Sequence, residues 1–145
     1  MDALDRKILA LLVEDGRRTF GDIGAQVALS APSVKRRVDR LRESGALRGF
    51  TAVVDHGAFG ESTEALVELF YRGGTTLDEV ARLLSEHPEV VEAWSVTGEA
   101  DAIARVRTAD NADLERLIVD LQRNGEVERT RSVVVLSRLV DREGT

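Results

Sequence analysis

The chain has 145 residues, 43% of them apolar and 32% charged, with a net charge of −6, no cysteine and two histidines. It is long enough for one ordinary domain or two small ones. A disulfide framework, a thiol nucleophile and a thiolate metal site are excluded, and no run of about 18 apolar residues is present to cross a membrane. The start, Met1-Asp2-Ala3-Leu4-Asp5, lacks the basic-then-apolar order of a secretion signal, so a cytoplasmic protein is expected. His56 and His87 stand far apart without acidic partners at ligand spacing, so neither a metal nor a cofactor is expected. The charge is divided by region: residues 1–50 carry 10 basic and 7 acidic side chains, and residues 51–145 carry 10 and 19. A basic module joined to an acidic one fits a nucleic-acid binder with a regulatory half.

In chain order, Leu4, Ile8, Leu11 and Leu12 recur at helical spacing and Gly16 stops the first helix. Thr19 can cap a short second helix with Phe20, Ile23, Gly24 and Val27 on one face. After a brief Ala28-Leu29-Ser30 turn, a third helix is expected from Ser30, with Pro32 in its first turn and Gly45 beyond its end. Its Val34, Val38 and Leu41 form an apolar stripe, whereas Ser33, Arg36, Arg37 and Arg40 fall at i, i+3, i+4 and i+7 on the other side. At about 1.5 Å per residue that row is about 11 Å long. Two helices joined by a short turn, the second one basic, make a helix-turn-helix whose second helix enters a DNA major groove. Arg36, Arg37 and Arg40 are the expected groove-facing side chains, with Ser33 in the same row and Ser30 at the N-cap. Lys35, Arg42 and Arg48 are the expected phosphate contacts.

Phe50, Ala52 and Val54 alternate with Thr51 and Val53, which predicts a strand, and Gly57 and Gly60 mark a linker to Ser62. Beyond it a shift of 37 residues lays the chain on itself. Ala65, Leu66 and Leu69 fall on Ala102, Ile103 and Val106; Leu77, Val80 and Leu84 fall on Leu114, Leu117 and Leu121; Val90, Ser95 and Val96 fall on Val127, Ser132 and Val133. Each copy reads strand, helix, strand. Two copies make βαββαβ, an antiparallel four-stranded sheet with both helices on one face, the ferredoxin-like arrangement. The expected class is therefore α+β, divided into residues 1–50, a strand and linker over 51–62, and a βαββαβ domain over 63–145. Its uncovered sheet face, expected to bear residues such as Val91, Trp94 and Val96 or their alternates, calls for a symmetric dimer. Between the copies lies Thr97-Gly98-Glu99-Ala100-Asp101. It reads as a tight turn, and equally as a pocket with amides near Gly98 for a carboxylate and Glu99 or Asp101 for an ammonium, a pairing that suits an amino acid.

These features together resemble the Lrp/AsnC (leucine-responsive, feast/famine) transcription regulators over nearly the whole chain. The resemblance rests on Leu4-Asp5 with Ile8-Leu9, Glu14-Asp15-Gly16-Arg17, Leu29-Ser30, Arg37-Val38, Arg40-Leu41, Gly45, Gly49-Phe50-Thr51-Ala52 and Thr97-Gly98 through Asp101. It implies a winged-helix-like or plain helix-turn-helix, a strand-bearing linker and a C-terminal regulatory domain that dimerises and builds octamers or other higher oligomers. It also implies a small effector, usually an amino acid, near Thr97 to Asp101. Many members carry an aromatic residue where this chain has Ala100, a difference that implies a different effector or none.

The expected function is non-enzymatic: a cytoplasmic, nucleoid-associated regulator that binds near-palindromic double-stranded DNA as a dimer or larger assembly, without a membrane. One rival is an architectural protein that compacts DNA of any sequence. The other is an enzyme like the sirohaem decarboxylases that share the two-domain fold, which would need His56 or His87 near a large tetrapyrrole.

Overall fold

The computed structural model describes residues 1–140; the expected regulatory domain's last five residues, 141–145, lie outside them. The described chain divides into two compact units, residues 1–53 and Val54–Leu139.

The first unit consists of α1 (Ala3–Glu14), α2 (Phe20–Val27) and α3 (Ala31–Glu43). Reciprocal capping starts α1: the Asp5 amide donates to Asp2 Oδ1 at 2.8 Å and the Asp2 amide to Asp5 Oδ2 at 2.9 Å. Thr19 Oγ1 caps α2 by accepting from the Asp22 amide at 3.1 Å. Ser30 stands at the N-cap of α3 but makes no side-chain cap there. Its hydroxyl donates to Ser33 Oγ at 3.0 Å instead. The α2–α3 turn bends through Ala28, held in the left-handed region at φ 54°. This turn packs so tightly on α2 that a Cβ at Gly24 would come within 2.4 Å of the Leu29 carbonyl oxygen. Glycine at that position is a packing requirement. Ile8, Leu11, Leu12, Ile23, Val27, Val34 and Val38 form the core, so the three apolar stripes of the sequence meet.

One expectation for the end of this unit is corrected: no strand forms over 47–55, and of the two expected forms, winged or plain, the described residues of 1–53 carry the plain helix-turn-helix. An extended segment needs a neighbouring strand to bond its amides and carbonyls, and this chain offers none beside residues 48–55.

The second unit opens with a 3-10 turn (His56–Phe59) and continues β1 (Thr63–Tyr71), α4 (Leu77–Ser85), β2 (Val90–Ser95), β3 (Ala102–Thr108), α5 (Asn111–Arg123) and β4 (Val127–Val134). The two copies of the 37-residue repeat therefore supply β1-α4-β2 and β3-α5-β4. The sheet order is β2-β3-β1-β4 with every neighbour antiparallel, so the central strands come from different copies. Small residues at Ala65, Ala102 and Ala104 let both helices lie close to the sheet, where Val80, Leu83, Leu84, Leu114, Leu117 and Leu121 complete the core.

The other face of the sheet carries no helix. Register places Trp94 beside Ile103, Leu66 beside Arg105 and Val133, and Phe70 beside Arg129. Trp94 is 47% exposed and Val133 59%. Val90 pairs with Val106 and lies against the core instead, because the register shifts between Val90 and Glu92. Ion pairs interleave the apolar side chains: Arg105 lies 3.1 Å from Glu92, Arg107 lies 3.4 Å from Glu64, and Arg131 pairs with Glu68. The Arg129 guanidinium stacks 3.8 Å over the Phe70 ring.

Candidate DNA-binding face and effector loop

An α-helix turns about 100° per residue, so Ser33, Arg36 and Arg40 lie within about 60° of one another. Buried Val34, Val38 and Leu41 hold the opposite side of α3 against the core and present this row outward. The row lines an open groove together with Leu29, Arg37, Asp39 and Glu43. Arg36 donates to Ser33 Oγ at 3.3 Å, which orders both side chains. Among the described residues Arg36, Arg40, Arg42 and Arg48 form no ion pair, so four guanidiniums remain available to an anionic partner. Lys35 is held by Asp39 at 2.7 Å, an exposed i,i+4 pair that a phosphate can displace. Arg42 and Arg48 share a second shallow depression with Asp39, Glu43 and Leu47. With the Ser30 hydroxyl turned to Ser33, the head of α3 keeps its positive dipole end for a phosphate.

Arg37 departs from the expected row. Its Nη1 donates to Asp2 Oδ2 at 2.6 Å and to Asp5 Oδ1 at 2.7 Å, both at the head of α1. The reason is angular. Arg37 lies about 60° from Arg40 and only about 40° from buried Leu41, at the seam between the outward and packed faces. Chiefly through the Arg37 hydrogen bond, and then the Asp5 amide, the Asp2 carboxyl is drawn down to about 2. Asp5 is lowered as well, first by the Asp2 amide and then by Arg37. Sequence spacing also missed Glu43, although it follows Arg36 by seven residues and Arg40 by three, the same signal that placed the arginines.

The loop after β2 is built from backbone contacts. The Asp101 amide donates to the Leu69 carbonyl at 3.0 Å, and the Val96 amide donates to the Asp101 carbonyl at 3.1 Å. Gly98 takes φ 133°, a conformation that side chains rarely adopt. Beside the loop an open groove is lined by Ser95, Val96, Thr97, Glu99, Ala100 and Ile103, with Glu68 and Arg131 from β1 and β4. Of the five expected effector residues, Thr97, Glu99 and Ala100 line it. Gly98 and Asp101 do not. The Asp101 carboxylate accepts the Tyr71 amide at 2.8 Å through Oδ2, a bond within the fold beside its expected role toward an ammonium.

Glu68, Ile103 and Arg131 were not foreseen, although strand alternation from Leu66 and Ala102 puts the first two on the helix-free face. Arg131 holds the Glu68 carboxyl below its ordinary range, and Glu99 lies 3.7 Å from the same guanidinium. Two carboxylates and one guanidinium, beside loop amides at Gly98 and Glu99 that carry no partner among the described residues, can receive both charges of a zwitterion.

His56 is engaged elsewhere in this unit. Its Nδ1 lies 3.0 Å from Glu61 Oε2 and its Nε2 lies 2.7 Å from Arg107 Nη1. No group of three or more potential ligands suited to a metal ion occurs among the described residues, and no helix among them is long and apolar enough to cross a membrane.

Residues 64–145 match the pattern of the Lrp/AsnC ligand binding domain, and residues 1–42 match the AsnC-type helix-turn-helix domain. The chain is 48% identical over 142 residues to the HTH-type transcriptional regulator Rv2324 of Mycobacterium tuberculosis, covering 98% of this chain and 96% of that one. The crystal structure of transcriptional regulator NMB0573 of Neisseria meningitidis in complex with L-Met superposes with a TM-score of 0.91 at 25% identity, covering 100% of this chain and 96% of that one. The feast or famine regulatory protein Rv3291c of M. tuberculosis, complexed with L-methionine, superposes with a TM-score of 0.90 at 30% identity, over 97% and 95% of the two chains.

Proposed function

The chain belongs to the Lrp/AsnC family of DNA-binding transcription regulators, and from that premise we propose that it reads near-palindromic operator DNA as a dimer or larger assembly under amino-acid control. The observation that carries the DNA reading is the outward row of Ser33, Arg36 and Arg40 on a helix held by its opposite face. In this reading Arg36 and Arg40 contact base edges, guanine O6 and N7 being the preferred partners of an arginine. Lys35, Arg42 and Arg48 contact phosphates, and Ser30 stands at the anion-binding head of the helix.

The domain assignment adopted is residues 1–50 for DNA, 51–62 as linker and 63–145 for effector and assembly. Exposed Trp94, Leu66 and Val133 on the helix-free face support a symmetric dimer, and the unpaired 48–55 segment supports strand pairing with a second copy. Further association of dimers gives octamers or other higher oligomers. The groove between Glu68, Glu99 and Arg131 supports an amino-acid effector, the class of ligand bound by the two structural relatives as L-methionine. Ala100, 8% exposed, leaves no ring on the groove wall, which favours an effector of different side-chain shape. Action on DNA places the protein in the cytoplasm, at the nucleoid.

The test is fluorescence anisotropy on duplex DNA from upstream of its own coding sequence and on a scrambled duplex, at two salt concentrations, because phosphate contacts release counterions. Preference for its own DNA by about 10³ or more supports a site-specific regulator. Equal binding to both favours the architectural reading. Binding to neither, with a tetrapyrrole absorbance shift, favours the enzyme, against which stands the engagement of His56 by Glu61 and Arg107.

A further inference from the structure

We propose that Arg37 is a positioning residue: by bridging Asp2 and Asp5 it fixes the rotation of α3 on α1, and so decides which α3 side chains meet the bases.

The bridge is complete on its acidic side. Asp2 Oδ1 and Asp5 Oδ2 accept each other's backbone amides, and the remaining oxygens, Asp2 Oδ2 and Asp5 Oδ1, both accept from Arg37 Nη1. All four carboxylate oxygens are used, and neither aspartate can turn without breaking the cap of α1. The Arg37 side chain is 20% exposed and that of Asp5 12%, so this half of the link is sheltered from competing solvent, whereas the Asp2 side chain is 55% exposed.

The rest of the α1–α3 contact is apolar, made by Ile8, Leu11, Leu12, Val34 and Val38. Hydrophobic burial is non-directional, so Val34 and Val38 set which face of α3 is packed but leave small rolls of the helix cheap. A two-pronged arginine–guanine contact does not tolerate them. A roll of about 20°, small enough to keep Val34 and Val38 covered, already displaces the Arg36 and Arg40 guanidiniums from the base edges they would read. The Arg37 clamp is the directional contact that forbids this roll, and it withholds one cation from the DNA.

This inference rests on the DNA-binding reading above, and its test separates the two. The probes are the tightest duplex recovered from a random pool by the parent protein and a scrambled duplex of the same length, titrated with full-length variants over a range of salt. For Arg37→Gln the preference for the selected duplex is expected to fall at least tenfold, with scrambled-duplex affinity and salt slope unchanged. Arg37→Lys, whose ammonium can bridge both carboxylates, is expected to restore most of the preference. Asp2→Asn/Asp5→Asn releases Arg37 and is expected to steepen the salt slope by about 0.9, the increment for one phosphate contact.

A shallower slope for Arg37→Gln with preference intact would make Arg37 a phosphate contact and overturn the proposal. So would an unchanged preference and slope, or loss of both duplexes together with the helical circular-dichroism signal, which marks a plain structural tie. Asp2→Asn alone keeps the sheltered Asp5 bond, so it gives a folded variant with an intermediate loss of preference if the clamp positions α3. Failure of the parent to recover any preferred duplex removes the site-specific reading, and the slope on the scrambled duplex still decides whether Arg37 touches phosphate.

Discussion

Asp101 Oδ2 accepts the amide hydrogen of Tyr71 at 2.8 Å, tying the end of the inter-repeat loop to the end of β1. Asp101→Ala removes this bond while the backbone bonds of Asp101 to Leu69 and Val96 persist. The expected cost is about 0.5 to 1.5 kcal/mol in urea unfolding, and Asp101→Asn, which keeps an acceptor oxygen, is expected to recover most of it. An Asp101→Ala protein as stable as the parent would mean that the backbone alone holds the loop.

Arg131 ties Glu68 and Glu99 together in the groove beside that loop. Arg131→Gln is expected to keep the fold and to abolish any rise in thermal midpoint that a panel of amino acids gives the parent. The panel is best read by differential scanning fluorimetry at fixed protein concentration, because ligand binding to the native state alone raises stability with ligand concentration. Equal shifts in parent and variant would move the effector away from this groove.

On α3, Arg36→Ala and Arg40→Ala are each expected to weaken binding to the preferred duplex by about 1 to 3 kcal/mol and to relax base preference at one position per half-site. Arg42→Ala is expected to weaken binding to all duplexes alike and to lower the salt slope. Half-site separation in the selected duplexes should be about 10 base pairs.

Gly24 leaves no room for a methyl group beneath the Leu29 carbonyl. Gly24→Ala is therefore expected to destabilise the first unit by about 1 to 3 kcal/mol, the usual range for overpacking. The distinguishing readout is native-state hydrogen exchange: protection should fall in α1–α3 and stay at parent level in the β-sheet.

Acid should loosen the same unit in a defined window. Asp2 titrates at about 2 when folded and Asp5 below its usual value, both held by Arg37 and by each other's amides. The folded state thus binds fewer protons than the unfolded one. Their stabilisation is present above an ordinary aspartate pKa of about 3.9 and is lost as pH falls toward 2. A fall in the thermal midpoint between about pH 4 and pH 2, reduced in Asp2→Asn, is the expected result.

Much of this architecture could be read from the sequence because it depends on local periodicity. The 37-residue shift fixed two βαβ copies, and the stripes of Val34-Val38-Leu41 and Leu77-Val80-Leu84 named the packed helix faces. What escaped was set by partners far along the chain. Asp2 and Asp5 lie more than 30 residues from Arg37, and nothing in the spacing of α3 says that the seam residue will turn toward them. The alternation of Phe50, Ala52 and Val54 is strand-like, but a strand exists only beside another. Asp101 looked free for a ligand because its Tyr71 partner comes from the preceding copy.

The order of strands also sets a timetable for synthesis. Because β1 lies between β3 and β4, one of its long edges stays bare until residues 127–134 have been made. The apolar core of α1–α3 is drawn from residues 4–47, and domains fold as units with the N-terminal one first. A nascent chain therefore carries a finished helix-turn-helix head while its β-sheet unit is still incomplete.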